Sequence, residues 1–181
     1  MSHAANAGTP TLGPESGSLE VRTYRAGAAR KLGHDLVIDV EHWQTTVEIA
    51  DDGSVSAVVL EADARSLRAR TGNGLKPLDD KERAEIAKNI DEGVLRGLGI
   101  TFRSSGVEQD NGRVRISGDL TLAGATRPAT FDLAVSADQR VQGTLSIRQS
   151  QWGISPFSHP VVPLRLRDDV EVVVDVALPS A

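Results

Sequence analysis

Val114-Arg115-Ile116-Ser117-Gly118-Asp119-Leu120-Thr121-Leu122 alternates apolar and polar residues without a break, and its reading decides the fold class. A period of two places Val114, Ile116, Gly118, Leu120 and Leu122 on one side of an extended chain and the charged and hydroxylic residues on the other. Such a strand rests one face on a core and leaves the other in water, as antiparallel sheets allow. Asp110-Asn111-Gly112 before it and Gly124 after it are turn residues, so the strand is joined by tight turns to a neighbour on each side.

The same period recurs in both directions. Downstream, Phe131, Leu133 and Val135 form one face of a strand, Val141, Gly143, Leu145 and Ile147 the next, and Val170, Val172, Val174, Val176 and Leu178 the last. Upstream, Ile100 and Phe102 open a strand, and a first one runs from Leu19 to Ala26-Gly27. His34, Leu36, Ile38, Val40 and His42 share a face whose reverse is acidic. A strand from Trp43 to Ile49 is expected to pair with Ser54–Ala62 across Asp51-Asp52-Gly53, and Ala64–Leu67 extends that sheet.

The period changes once. Asp79 followed by Glu82 is a capping-box pattern, and Ile86, Ile90, Val94, Leu95 and Leu98 follow at helical spacing until Gly97 and Gly99. The spacing predicts one helix over 79–96. About eight half-polar strands and a single helix predict an all-β fold, a closed eight-stranded antiparallel barrel with the helix packed at one end, since closure removes exposed edges. Gly118 and Gly143, on inner faces, mark either sharp coiling or space for a ligand. Residues 1–17, small and polar, are expected to be a flexible tail ahead of a domain over 18–181.

Composition narrows the function. The 181-residue chain carries a net charge of −5, which disfavours a phosphate backbone as partner. Without cysteine there is no disulfide framework, zinc–thiolate site or thiol nucleophile. No apolar run reaches the ~20 residues of a membrane span. A basic stretch followed by an apolar one is missing from the N-terminal residues, so a cytoplasmic location is expected, or a periplasmic one if a leader was removed. Aromatic residues make up only 3%, which leaves room inside a barrel of this size.

Several segments together carry a family likeness: Gly33-His34-Asp35-Leu36, Lys76-Pro77-Leu78, Ile100-Thr101-Phe102-Arg103-Ser104, Gly118 to Pro128 with its Ala125-Thr126-Arg127-Pro128, and Gln149-Ser150-Gln151-Trp152-Gly153-Ile154. Over residues 18–179 the chain resembles the YceI family of lipocalin-like proteins. The resemblance implies an eight-stranded barrel whose elongated apolar interior holds polyisoprenoid chains such as prenyl lipids or quinones. The opening around Ala28 to Asp35 departs from the usual family pattern, and so does the expectation of no leader.

On these grounds the expected ligand-binding residues are Leu36, Ile38, Val40, Ile116, Leu120, Leu133, Leu145, Ile147, Val172 and Val174, with Trp152 and His34. The helix and the loop from Trp152 to Pro163 are expected to act as lids. The expected partner is a long-chain apolar small molecule (isoprenoid, quinone or similar lipid), with no cofactor and no metal. A homodimer stays open. The alternative is a filled barrel serving as a non-enzymatic interaction module through a protein partner, and interior volume discriminates the two.

Chemical readings of individual residues have plainer counterparts. His34 and Asp35 are adjacent on a strand and point to opposite faces, so they do not form a base–acid pair. His34 either hydrogen-bonds a carbonyl at the strand start or meets a polar head group. His42 lies about 27 Å further along the same strand, too far to share a metal. Arg65, Arg68 and Arg70 read as a solvated loop or as donors to a phosphate head. The acids at 79–85 suit a helix N-terminus. Ser150, Ser155 and Ser158 lack a nucleophile elbow, so no enzyme is expected.

Overall fold

A computed structural model describes residues 8–74 and 76–179. In chain order the elements are β1 (Thr11–Leu12), β2 (Gly17–Thr23), β3 (Arg25–Ala26), β4 (Asp35–Val40), β5 (Trp43–Ile49), β6 (Val55–Ala62) and β7 (Leu67–Asn73). After them come the helix α1 (Asp80–Lys88), β8 (Ile100–Asp110), β9 (Arg113–Leu122) and β10 (Ala125–Val135). The chain ends with β11 (Arg140–Arg148), β12 (Arg165–Leu166) and β13 (Asp169–Ala177).

Eleven strands form one antiparallel sheet in the order β1-β5-β6-β8-β9-β10-β11-β13-β2-β4-β7, and β3 pairs with β12 apart from it. The sheet curls into a half-barrel, which corrects the expected closed eight-stranded barrel: among the described residues no pairing joins β1 to β7. The edges are protected by other means. Strand β1 has two residues. Along β7 packs α1, whose Arg83 guanidinium donates to the carbonyls of Ala69 and Arg70.

Across the gap, the corner between β4 and β5 meets the corner between β6 and β7. Glu41 N–H donates to Ser66 O and Asp63 N–H to His42 O, each at 3.0 Å. The Ser66 hydroxyl, 2% exposed, accepts from His42 N–H at 3.0 Å and donates to Asp63 O at 2.8 Å. A stitched corner therefore stands where barrel closure was expected.

Three other expectations change. Part of the assigned tail is structured: Thr11–Leu12 pairs with Thr45 and Thr46 of β5, and Leu12 is buried because its one large apolar side chain reaches the core; residues 1–7 lie outside the described residues. Arg68 and Arg70 are on β7, not in a loop. The helix is α-helical only to Lys88 and continues as a π-helical turn over Asn89–Val94, ending where Arg96 and Gly97 take positive φ. Leu98, read as part of its stripe, is exposed.

Inward faces follow the expected period almost throughout. Leu36, Ile38 and Val40 of β4 are buried, as are Ile116 and Leu120 of β9. One bulge matters: in β8 the register slips between Ser104 and Gly106, which brings Val107 opposite Ile116. Gly118 faces that bulge, and a Cβ there would stand 2.1 Å from the Arg103 carbonyl oxygen. Close backbone approach is therefore its reason for being glycine.

Candidate ligand-binding site

The sheet's concave face does not pack solid. It encloses a cavity of about 710 Å³, within the range of ligand-holding pockets. Ten of the expected residues border it: Leu36, Ile38, Val40, Ile116, Leu120, Leu133, Ile147, Val172, Val174 and His34. Two do not. Leu145, opposite Val172 in the sheet, packs into the wall among its neighbours. Trp152 is buried in a 3₁₀ turn after β11 and donates its indole N–H to the Leu120 carbonyl at 2.9 Å. That bond consumes the one polar group it could have offered a ligand and pins the turn to β9.

Sequence reading missed further wall residues. From the helical segment, Ile86, Ile90 and Val94 border the cavity, and their spacing of four was the signal available. Thr23, Trp43, Phe102 and Phe131 also contribute, the last two in an edge-to-face contact with centroids 5.0 Å apart. Phe157 and Leu164 arrive from a loop without periodicity, which no pattern would have flagged.

Polar groups gather toward one end, the mouth. There β2 finishes, β4 begins, and the loop after β11 folds back through β12 onto β3. His34 Nε2 lies 2.8 Å from the Lys76 carbonyl oxygen, which can only accept, so Nε2 carries the proton. Both readings of His34 meet here, a carbonyl partner and a place at the mouth. Its ring packs against Gly72 and Gly74; a Cβ on Gly74 would lie 2.6 Å from His34 Cδ2. Lys76 and Glu82 form an ion pair at 3.1 Å beside it. The capping box is present as expected, with Glu82 N–H donating to Asp79 Oδ1 at 2.8 Å.

Just inside the mouth is Thr23, 7% exposed, whose hydroxyl has no hydrogen-bond partner among the described residues. Gln149 is also buried and borders the cavity, its amide nitrogen donating to the Arg167 carbonyl at 3.2 Å. Next to Thr23 on the outer side, Tyr24 donates its hydroxyl to Glu171 at 2.6 Å. That bond to a carboxylate, reinforced by desolvation, holds the phenol above its ordinary range.

The expected phosphate donors are engaged elsewhere. Arg70 pairs with Glu20 and Asp39 on the sheet's outer face, Arg65 with Asp63, and Arg68 with the carbonyls of Arg65 and Leu67. None of the three borders the cavity. His42 is exposed in the turn between β4 and β5, not on the apolar face. Ser150 donates to Asp168, which ties the turn after β11 to the start of β13.

A family model for the YceI-like domain matches residues 36–178, most of the chain. The chain belongs to the YceI-like family. Its fold is similar to that of Burkholderia cenocepacia BcnA, with a TM-score of 0.60 at 15% identity over 87% of this chain and 94% of that one. It is also similar to the Campylobacter jejuni YceI protein, with a TM-score of 0.51 at 12% identity over 79% and 85%. No curated protein matches the sequence. At such identities the likeness speaks for the fold, and the half-barrel of this YceI-like chain must be read from its own side chains.

Proposed function

We propose that this YceI-like protein binds and carries an amphiphilic, isoprenoid-type lipid or quinone, by burial alone and without chemistry of its own. One observation carries the reading: a cavity of about 710 Å³ walled by Leu, Ile, Val and Phe, with polar groups toward the mouth. The alternative module requires a filled interior, and a cavity of this volume favours the carrier over it.

Affinity would come from apolar area removed from water. Burying ~400 Å² of ligand chain at ~25 cal/mol per Å² is worth about 10 kcal/mol, from which association costs of several kcal/mol are subtracted. A buried hydroxyl without a partner is rare, and a ligand carbonyl or hydroxyl is the natural partner for Thr23. The ligand's polar end would then sit near Thr23 and its chain run away from the mouth along Ile116, Leu133 and Val174.

Native mass spectrometry of the purified protein, followed by organic extraction, tests this. A released molecule with a long apolar chain and a small polar end supports the carrier. Empty protein that also refuses an offered prenol or quinone sinks it.

A further inference from the structure

Two loop tips beside the mouth differ in composition from the rest of the molecule. Residues 25–34 and 153–167 are zipped together: β3 pairs with β12, Ala29 N–H donates to the Pro163 carbonyl at 3.1 Å, and Leu164 fills the space where Gly33 would carry a Cβ. The two segments contain Arg25, Arg30, Lys31, Arg165 and Arg167 and no acidic residue, in a chain whose net charge is −5. Of the acidic groups beside these tips, Asp35 is engaged by Arg25 at 3.1 Å, Glu82 by Lys76 at 3.1 Å, and Asp168 by Ser150. Among the described residues, Arg30, Lys31 and Arg165 form no ion pair.

Apolar side chains project from the same tips. Four large hydrophobic residues are exposed among the described residues, and three of them are here: Leu32 at 62%, Phe157 at 39% and Val161 at 84%. They are held in place by structure, not left on slack chain. Leu32 closes a 3₁₀ turn, while Val161 and Val162 both donate their N–H groups to His159 Nδ1, at 3.1 and 3.2 Å. Leu32 and Phe157 also border the cavity, so the exposed apolar surface continues into its lining.

We propose that these tips dock the cavity mouth onto an anionic lipid bilayer. Leu32, Phe157 and Val161 enter the head-group layer, and Arg30, Lys31 and Arg165 meet the negative surface. The positive, acid-free tips on a negative protein are what select a charged bilayer as occupant and orient the mouth toward it. The purpose of this docking rests on the carrier reading: a lipid would pass from the membrane into the cavity without crossing water.

The test is co-sedimentation of the full chain with vesicles of phosphatidylcholine, with and without phosphatidylglycerol, at low and at physiological salt. Binding is expected on the anionic vesicles only and should weaken with salt. Each cation removed should weaken it about fivefold, so Arg30→Glu with Lys31→Glu should lose most of it. Leu32→Asp with Val161→Asp should lose it as well, and both pairs change exposed residues that leave the fold intact. Arg113→Glu, the same charge change as Arg30→Glu alone but placed at the start of β9, away from the mouth, should bind as the parent does.

No binding to anionic vesicles, binding that both tip variants retain, or an equal loss in Arg113→Glu overturns the proposal. In the first of these cases the tips would belong to a protein partner. Uptake of a short prenol from vesicle-free solution, measured on the same preparations, separates the two ideas. Tip-dependent vesicle binding without uptake removes the carrier and leaves the docking; uptake without vesicle binding does the reverse.

Discussion

Tyr24 is the chain's single tyrosine, so its titration can be followed without ambiguity. Its hydroxyl donates to the Glu171 carboxylate, and ionising it would set two negative groups against each other, which raises its pKa above the ordinary 10.0. A folded pKa raised above the unfolded one contributes stability that is fully present below the unfolded value and is lost as pH rises through the folded value. Tyrosinate absorbance should therefore rise later in the native protein than in denatured protein, and Glu171→Gln should move it back toward the ordinary value. Coincident native and denatured titrations would contradict the bond. Gly118 makes the second prediction at this scale. A Cβ there meets Arg103 O at 2.1 Å and Ser104 Cα at 2.7 Å, both backbone. Gly118→Ala should cost about 2 kcal/mol or more in a denaturant melt, whereas Gly106→Ala, whose Cβ would find nothing within 4 Å, should be close to neutral.

Between elements, the corner around Ser66 does the joining that strand pairing does elsewhere in the sheet. Removing its hydroxyl leaves His42 N–H without its acceptor and the Asp63 carbonyl with only the Ser66 N–H as donor, in a site 2% exposed. Ser66→Ala is expected to cost about 2 kcal/mol, read from the midpoint of urea unfolding. Ser56→Ala, an exposed serine bonded to the Glu48 carbonyl, should cost a few tenths (about 0.5 kcal/mol at most). Equal losses at the two positions would mean that the corner is not a structural joint. Strands such as β4 and β9 were legible as elements because one face is wet and the other dry, so their sequence alternates. Strand β7 was not: Leu67-Arg68-Ala69-Arg70 alternates, but a bulge then breaks the period between Ala69 and Thr71, and the arginines resemble a solvated loop.

For the molecule as a whole, function turns on the void. Val174 is half-buried in the middle of β13 and faces the cavity. Val174→Trp would fill part of the space, and because the space is empty of side chains the fold should tolerate it. Prenol uptake in native mass spectra should fall roughly tenfold or more while melting is unchanged or higher, since a single lost contact of a few kcal/mol already spans that range. Undiminished uptake would place the ligand elsewhere. In the parent protein, a bound ligand at a hundred times its Kd should stabilise the fold by about 2.7 kcal/mol, a shift absent from the plugged variant.

Alternation along each strand and the single helical stripe determined, from the sequence alone, an antiparallel sheet with one helix and most of the residues on its concave face. Ten of twelve expected residues border the cavity because a period of two assigns a face without any knowledge of neighbours. What only the tertiary structure decided is everything that depends on who meets whom: the open seam in place of closure, Arg70 drawn into outer-face ion pairs, Trp152 spent on a backbone carbonyl, and the void itself. Closure and volume are sums over pairings that lie far apart in the chain, and no local pattern encodes them.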